Sequence, residues 1–353
     1  MAAYGDADQA LNTPPGGAGT GAGFGTWNLP NFVGELFFLS PLETPFLSMI
    51  GGLTGGRSAR GVVFGWQDTL HRAPALQAND EGADAGFTAQ KRSDRINVCE
   101  IFQYASEVSY SKQGGVDRLG TIGEIAVTDP AIVDQASILG NQPVGNELDW
   151  QMSILVEQAG LDVELSFLEE TLAIPNDGTA RTTQGILGAV SSDTTTDYLN
   201  GAADPGVPAS RAVINDLSKK LYDNGAPMRN CVIMVNSQNK LELGNDYADT
   251  TGGYVQPRSY NVFGVNVTDL ETEFGRYPVV LNRHLDQNTI LIAELSVCAP
   301  RFLPIPGKGH FFQEPLSKLG SYDREQLYGE IGLEYGPSGW HAKATNLHTF
   351  TPA

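Results

Sequence analysis

The residue types that most often carry out chemistry are few in this sequence, and their spacing forms no recognised catalytic or metal-binding motif. The five histidines lie far apart in the chain: His71, His284, His310, His341 and His348. The three cysteines are scattered, which is typical of a reducing compartment without a disulfide framework: Cys99, Cys231 and Cys298. No GxSxG, HExxH, CxxC or EF-hand motif occurs. We therefore expect no catalytic residue, metal site or cofactor. Because a triad can assemble from distant residues, a cytosolic α+β hydrolase remains an alternative.

Two glycine-rich stretches invite comparison with nucleotide-binding loops, and both differ from those motifs. The stretch from Pro14 to Gly23 does not follow the GxGxxG spacing, and no strand precedes it. Gly51 to Ser58 has the order Gly-x4-Gly-Arg-Ser, with Arg57 where a phosphate loop has lysine. A planar guanidinium is a poor substitute for the point charge of that lysine. Neither stretch predicts a cofactor site.

Charge is abundant but unevenly distributed. The 353 residues include 22 Lys and Arg against 41 Asp and Glu, a net charge of −19, so free nucleic acid should be repelled. From Leu119 to Ala180 there are eleven acids and no Lys, Arg or His. A group of basic residues lies upstream of this block: Arg57, Arg60, Arg72, Lys91, Arg92 and Arg95. This asymmetry predicts pairing between a basic and an acidic segment, and the alternative is a solvated surface.

The acidic block contains the longest predicted helix, from Asn146 to Leu172. It has no internal proline, Asn146 is a suitable N-cap, and Glu147 and Asp149 lie in the first turn. Two nearly opposite apolar faces follow from a step of ~100° per residue, which predicts a helix packed between two layers. Acids fill the strips between these faces: Glu157 and Glu164 on one side, and Glu147, Asp162 and Glu169 on the other. An ordinary core helix is the alternative.

Upstream of this helix, the pattern predicts a β-hairpin that carries a long loop. Apolar residues alternate from Val62 to Trp66 and again from Ile96 to Ser111, so we expect these two runs to pair. Between them, the segment from His71 to Arg95 has only Leu76 and Phe87 as large apolar residues. A long loop without a core of its own is usually functional, and a mobile surface loop is the alternative.

Downstream of the long helix, the pattern changes to alternating helices and strands. Residues 206–320 predict a compact α/β domain. After it, the chain predicts a final hairpin that turns at Gly336 to Gly339 and places Glu334 opposite His341, with Lys343 nearby. Cross-strand charge pairing is the expected role of these residues. One histidine without a second strong ligand does not predict a metal site.

Several short segments resemble the major capsid proteins of tailed bacteriophages. They are Glu35 to Leu47, ending in Thr44-Pro45-Phe46-Leu47; Trp66-Gln67-Asp68 with Leu70; Glu81-Gly82; Arg95 to Phe102 with Val108-Ser109; and Glu330 through Glu334 to His341-Ala342-Lys343. The order of the parts matches as well, from about Glu35 to Leu347. The resemblance implies an α+β chain with the Hong Kong 97-type capsid fold.

The resemblance also implies a division of the chain. Residues 1–45 would form an N-terminal arm, whose polar, glycine-rich first part cannot bury a core of its own. Residues 62–108 would form the extended loop (E-loop) hairpin. The peripheral (P) domain would comprise 46–61, 109–205 and 321–353, with a spine helix over 146–172, and residues 206–320 would form the axial (A) domain.

By the same resemblance, the function would be that of a major capsid protein. It would self-assemble into hexamers and pentamers that form the icosahedral head shell of the virion, around the double-stranded DNA of a tailed phage, after assembly in the host bacterial cytoplasm. Partners would be other copies of the chain and scaffold, portal and cement or decoration proteins, with the DNA enclosed without specific binding. No membrane partner is expected, because the most apolar early run, Val33 to Leu53, contains acids and prolines. A protein nanocompartment shell of the same fold is the alternative.

We expect the contact between neighbouring subunits to join the basic loop of one to the acidic helix of the next. The cations of this predicted contact are Lys91, Arg92 and Arg95, and its acids are Glu157, Asp162, Glu164 and Glu169. We also expect part of the acidic surface to face the packaged DNA, so that the genome slides and does not adhere.

Overall fold

A computed structural model describes residues 42–71, 74, 76, 78–84, 89–116, 147–176, 178–199, 206–250, 259–262 and 265–347. Nearly all of the predicted N-terminal arm lies outside these residues, as does part of the predicted loop tip. The chain divides into two compact units, Met1–Ser40 with Val108–Trp150 and Pro41–Glu107 with Gln151–Ala353. In the described part of the first unit, Lys112 Nζ lies 2.5 Å from Glu147 Oε1.

The helices have the following bounds: α1 (Pro45–Ile50), α2 (Tyr110–Val116), α3 (Glu147–Glu169), α4 (Ile186–Ala189), α5 (Arg211–Asp223) and α6 (Ser237–Thr250). The strands are β1 (Arg57–Ser58), β2 (Val63–Thr69), β3 (Arg92–Val98), β4 (Glu100–Ser109), β5 (Thr195–Asp197), β6 (Cys231–Val235), β7 (Ser259–Val262), β8 (Val265–Thr272), β9 (Gly275–Leu281), β10 (Ile290–Glu294), β11 (Ala299–Phe302), β12 (Phe312–Pro315), β13 (Tyr322–Glu334) and β14 (Ala342–Thr345). None of the described helices combines the length and hydropathy needed to cross a membrane.

Helix α3 is the predicted spine helix, and it ends three residues before the predicted end. A later segment of the chain contacts the C-terminal end of this helix, where Gly185 N donates to Glu170 O at 2.8 Å. A Cβ atom at Gly185 would lie 2.8 Å from the backbone nitrogens of Glu169 and Glu170, so only glycine fits at this position.

The second half of α3 is buried around most of its circumference. Its buried residues are Ala159, Gly160, Val163, Glu164, Ser166, Phe167 and Leu168. Further towards the N-terminus, Met152 packs with Leu327 of β13. Val156 and Leu165, however, are 44% and 45% exposed. The prediction of two buried faces along the whole helix is therefore wrong for a single subunit, because no described layer of the same chain covers these two residues.

The predicted long hairpin exists only in part. Strands β2 and β3 pair antiparallel from Val63 opposite Val98 to Thr69 opposite Arg92. The single strand predicted from Ile96 to Ser111 is wrong, because it breaks at the buried Cys99, whose backbone N–H donates to Val62 O at 2.8 Å. After this break, β4 leaves the hairpin and pairs with β13 in a five-stranded sheet that also contains β1, β11 and β12.

A seven-stranded sheet in the order β5-β14-β10-β6-β9-β8-β7 forms most of the predicted axial region. One face of the sheet packs on α5, whose Val213, Ile214 and Leu217 are buried. Met234 and Leu291 belong instead to the core that contains Phe167 and Leu168 of α3. The sheet includes β5 and β14, which lie outside residues 206–320. Strands β11 and β12 lie inside that range but belong to the five-stranded sheet. The domain boundaries themselves stay a prediction.

The final hairpin was predicted wrongly, since β13 and β14 lie in different sheets. Strand β14 pairs antiparallel with β10 and parallel with β5. Burial explains this choice, because Ala342 and Ala344 are fully buried in the seven-stranded sheet's core. Lys343 points the other way and its Nζ donates to Leu187 O at 2.8 Å. It does not pair with Glu334.

Candidate assembly interface

The basic end of the β2–β3 hairpin is exposed, and its three predicted contact residues differ in how far they are already paired. Arg95 Nε lies 3.1 Å from Asp68 Oδ2 on the opposite strand. Arg92 Nη1 donates to Gln67 Oε1 at 3.3 Å. Lys91 accepts a bond from Thr69 Oγ1 at its backbone oxygen, and within the described residues its ammonium has no partner. Lys91 and Arg92 are therefore the cations most available to another molecule.

The same hairpin carries uncovered apolar side chains. Leu70 is 88% exposed, and Leu76 is fully exposed. Val63 and Ile96 lie on the outer face of the hairpin and are also exposed. Single exposed apolar residues are common on protein surfaces. Four of them on one two-stranded hairpin, together with the exposed Lys91 ammonium, are the pattern expected of a surface that another chain covers.

The base of the hairpin is fixed to the five-stranded sheet by its aromatic residues. Trp66 Nε1 donates to Gly336 O at 3.0 Å, and its ring meets the Tyr335 ring edge-on at a centroid distance of 4.8 Å. The Phe64 ring occupies the space above Gly332, where a Cβ atom would lie 2.8 Å from it. These contacts attach the base of the hairpin to β13 and to the residues that follow it.

The four predicted acids on α3 have different environments. Glu157 and Glu169 are exposed, and within the described part of the chain their carboxylates have no hydrogen-bond partner. Asp162 is half-buried and accepts bonds from Tyr104 Oη and Gln158 Nε2, each at 2.7 Å. Glu164 is completely buried. The prediction is therefore wrong for Glu164, since it has no surface to offer a neighbour, and Asp162 is already engaged within its own subunit.

Glu164 accepts hydrogen bonds from the first turn of α1 and from Asn282. Phe46 N and Leu47 N donate at 3.0 and 2.6 Å, and Asn282 Nδ2 donates at 2.7 Å. Thr44, the N-cap residue of α1, makes no side-chain capping bond, so Glu164 supplies the acceptor that the helix end needs. Burial raises the pKa of Glu164 to about 7, although the three hydrogen bonds act to lower it. No local sequence signal identifies this role.

Two further buried carboxylates bind arginines beneath the hairpin. Glu334 lies 2.6 Å from Arg301 Nη2 and 3.3 Å from Arg57 Nη1. Glu330 pairs with Arg181 and accepts a bond from Tyr328 Oη at 2.7 Å. Arg57 therefore has a structural role. The last two residues of the phosphate-loop-like stretch, Arg57 and Ser58, form strand β1, which pairs with β11.

The cysteines offer no reactive centre. All three are free and buried. Burial raises the pKa of Cys99 to about 12, and burial is also the main cause of the raised pKa values of Cys231 and Cys298. Across the described ranges, no group of three His, Cys, Asp or Glu side chains is placed to hold a metal ion.

The overall architecture is similar to that of solved shell proteins. A capsid protein of cyanophage A-1(L) superposes with a TM-score of 0.59 at 12% identity, over 92% of this chain and 99% of that one. The capsid protein of cyanophage P-SCSP1u gives 0.57 at 11% identity, over 94% and 98%. An encapsulin of Synechococcus elongatus PCC 7942 gives 0.57 at 11% identity, over 92% and 96%. At these identities the likeness shows the fold, and it confirms the predicted Hong Kong 97-type α+β architecture.

The sequence itself carries the family relationship. The profile of the family described as SU10 major capsid protein matches residues 17–348, which is nearly the whole chain. No curated protein shows significant similarity to the sequence. A capsid protein is a structural component, so the hydrolase alternative is not retained. The chain belongs to the SU10 major capsid protein family, and its role is structural rather than enzymatic.

Proposed function

We propose that this chain self-assembles, through hexamers and pentamers, into the icosahedral head shell of a tailed bacteriophage that encloses double-stranded DNA. The observation that carries the proposal is the family match over residues 17–348, supported by capsid structures of the same fold. Repeated heterologous contacts between identical subunits close into rings of this kind. Assembly would take place in the host cytoplasm, and scaffold, portal and cement proteins are candidate further partners.

The contact we propose joins the basic end of one hairpin to the α3 helix of a neighbouring subunit. Lys91 and Arg92 would face the exposed carboxylates of Glu157 and Glu169. Arg95 would add to this contact while it keeps its ion pair with Asp68. Leu165, which is exposed and lies between Glu157 and Glu169 along α3, offers apolar surface beside these acids. Each exposed ion pair contributes only ~0–1 kcal/mol, so the apolar contact and the repetition around a ring would provide most of the stability. Charge would mainly select the register.

The excess of negative charge supports a second part of the proposal. A subunit with a net charge of −19 repels phosphate groups. An acidic inner wall would let packaged DNA move without adhering to the shell. A neutral or basic inner surface in an assembled particle would contradict this arrangement.

Negative-stain microscopy of the purified protein tests the assembly proposal directly. We expect large icosahedral shells, or free hexamers and pentamers. A uniform monomer or dimer at high concentration would require a second experiment, in which candidate scaffold protein is added. If the chain stays monomeric with scaffold present, the proposal is wrong.

A nanocompartment shell is the second candidate, because an encapsulin has the same fold at a TM-score of 0.57. The contents of purified particles distinguish the two. A phage head should contain nuclease-protected double-stranded DNA or associate with packaging proteins. A nanocompartment should contain a co-purifying protein cargo and no protected DNA.

A further inference from the structure

Three separate parts of the subunit meet at Glu164. Its Oε1 accepts bonds from Phe46 N and Asn282 Nδ2, and its Oε2 accepts one from Leu47 N. The donors lie 117 or 118 residues away in the sequence. One carboxyl group on α3 is thus the shared acceptor for α1 and for the residue that follows β9.

Among the residues that the structure describes, no cation pairs with this carboxyl group. Its neighbours in the same core are apolar: Phe46, Leu47, Val163, Phe167 and Leu285. The titratable side chains within four residues of Phe46, Leu47, Glu164 or Asn282 in the sequence are Glu43, Asp162, Arg283, His284 and Asp286, and the buried thiol of Cys298 belongs to the same core. Glu43 and Arg283 pair with each other at 3.0 Å, and Asp162 binds Tyr104. His284 contributes only its backbone N–H, which donates to Asn282 Oδ1 at 2.9 Å.

Two hydrogen bonds fix the orientation of the Asn282 side-chain amide. Because its Oδ1 accepts from His284 N, its Nδ2 must face Glu164. A protonated Glu164 keeps both bonds at Oε1 and gives up at most the bond at Oε2. An ionised Glu164 keeps all three bonds, which compensate the charge in part, but it has no counter-ion among the described residues and lies in an apolar core. An unpaired charge in the interior costs more than one neutral hydrogen bond.

We propose that Glu164 is a proton-dependent tie within the subunit, which holds α1 and the end of β9 against α3 when protonated and loosens this joint when ionised. The proposal concerns one chain and does not depend on shell assembly. It assigns a conformational role to a residue whose sequence position suggested only a surface acid.

The direction of the pH dependence follows from proton linkage. In an opened joint the carboxyl group is in water, where it titrates near its ordinary pKa of 4.5, whereas in the closed joint its pKa is about 7. The closed joint therefore binds the proton more tightly. The stabilisation of the closed joint by this proton is complete below about pH 4.5 and is lost as the pH rises through 7. Between pH 6 and pH 8, we expect the joint to open about ten times more often.

Hydrogen exchange of the full-length, unassembled chain measures this opening. Peptides covering residues 42–50 and 279–286 should lose about tenfold in protection from pH 6 to pH 8, after correction for intrinsic exchange rates. A peptide covering α5, on the opposite face of the seven-stranded sheet, serves as the internal control and should change less than twofold. In Glu164→Gln, which resembles the neutral acid, both joint peptides should become independent of pH. Unchanged pH dependence in this variant would overturn the proposal, as would protection that rises with pH.

Two further variants keep the test decisive. Asn282→Ala removes one donor to the carboxylate, so the midpoint of the pH effect should move to higher pH. A midpoint that stays in place or moves to lower pH would overturn the proposal, even if Glu164→Gln failed to fold. His284→Gln should retain the pH dependence of the unmodified chain. Loss of the effect in this variant would assign the titration to the histidine and overturn the role of Glu164.

Discussion

Acidic residues that look alike in the sequence have quite different roles in this protein. Glu157 and Glu169 are exposed, while Glu164 on the same helix is fully buried and bound by three donors. Glu334 is also buried and held between two arginines. Buried carboxylates require partners that compensate for lost hydration, so these residues fix specific distant segments against each other.

At this scale we predict the effect of removing the charge of Glu334. Glu334→Gln leaves Arg301, and in part Arg57, without a counter-charge, so the free energy of unfolding should fall by about 3 kcal/mol. Urea denaturation of unassembled subunits measures this change. Glu157→Gln, the same substitution at an exposed site, should change stability by less than about 0.5 kcal/mol. A loss at position 334 no greater than that of the control would show that the cluster contributes little.

The elements divide into those that build the subunit and those that offer surface to another molecule. Strand β13 is the centre of the five-stranded sheet, where it pairs with β4, β11 and β12. The β2–β3 hairpin forms a separate two-stranded sheet whose base is fixed by Trp66. A two-stranded hairpin is marginally stable alone. Its uncovered apolar and cationic residues are consistent with the proposed contact to a neighbour.

Charge reversal on the hairpin tests this contact. Lys91→Glu with Arg92→Glu should raise the subunit concentration needed for assembly by about tenfold, because two attractive pairs become repulsive. The effect should be largest at low salt and should diminish above about 0.15 M. Light scattering against subunit concentration measures it. Lys219→Glu with Arg276→Glu, which changes the net charge equally at exposed sites away from the hairpin, is the matched control.

The reciprocal substitution makes the test specific to the proposed partners. Glu157→Lys with Glu169→Lys in the reversed hairpin background should restore assembly. If assembly does not recover, or if the control pair is equally harmful, the hairpin does not dock on these acids and the effect is one of net charge alone.

For the whole molecule, net charge determines how the chain behaves towards nucleic acid. Free subunits with a charge of −19 should not bind linear double-stranded DNA at physiological salt. A gel-shift assay should show no retardation at about 10 μM protein. Retardation at or below that concentration would indicate a basic surface strong enough to overcome the net charge, and it would contradict the non-adhering inner wall.

The broad outline of the molecule was predictable because it depends on local pattern and composition. The spine helix followed from the absence of proline and from its acidic first turn, and the hairpin from alternation at Val62 to Trp66 and beyond. The capsid fold followed from short motifs in a matching order, and the family profile and solved structures confirmed it. The contact residues and domain boundaries stay predictions.

What the sequence determined by itself is therefore the long helix, the β2–β3 pairing, the segregation of charge and the family. The tertiary structure decided which residues of those elements became interior. The run from Ile96 to Ser111 breaks at Cys99, and β4 then pairs with β13 in another sheet, because a strand pairs according to the partners that the folded chain brings to it. Strand β14 does not pair with β13, because Ala342 and Ala344 are buried in a core formed by strands distant in the sequence. Glu164 became buried through partners 117 or 118 residues away, since periodicity reports only on neighbours within a few turns and burial depends on contacts that only the folded chain creates.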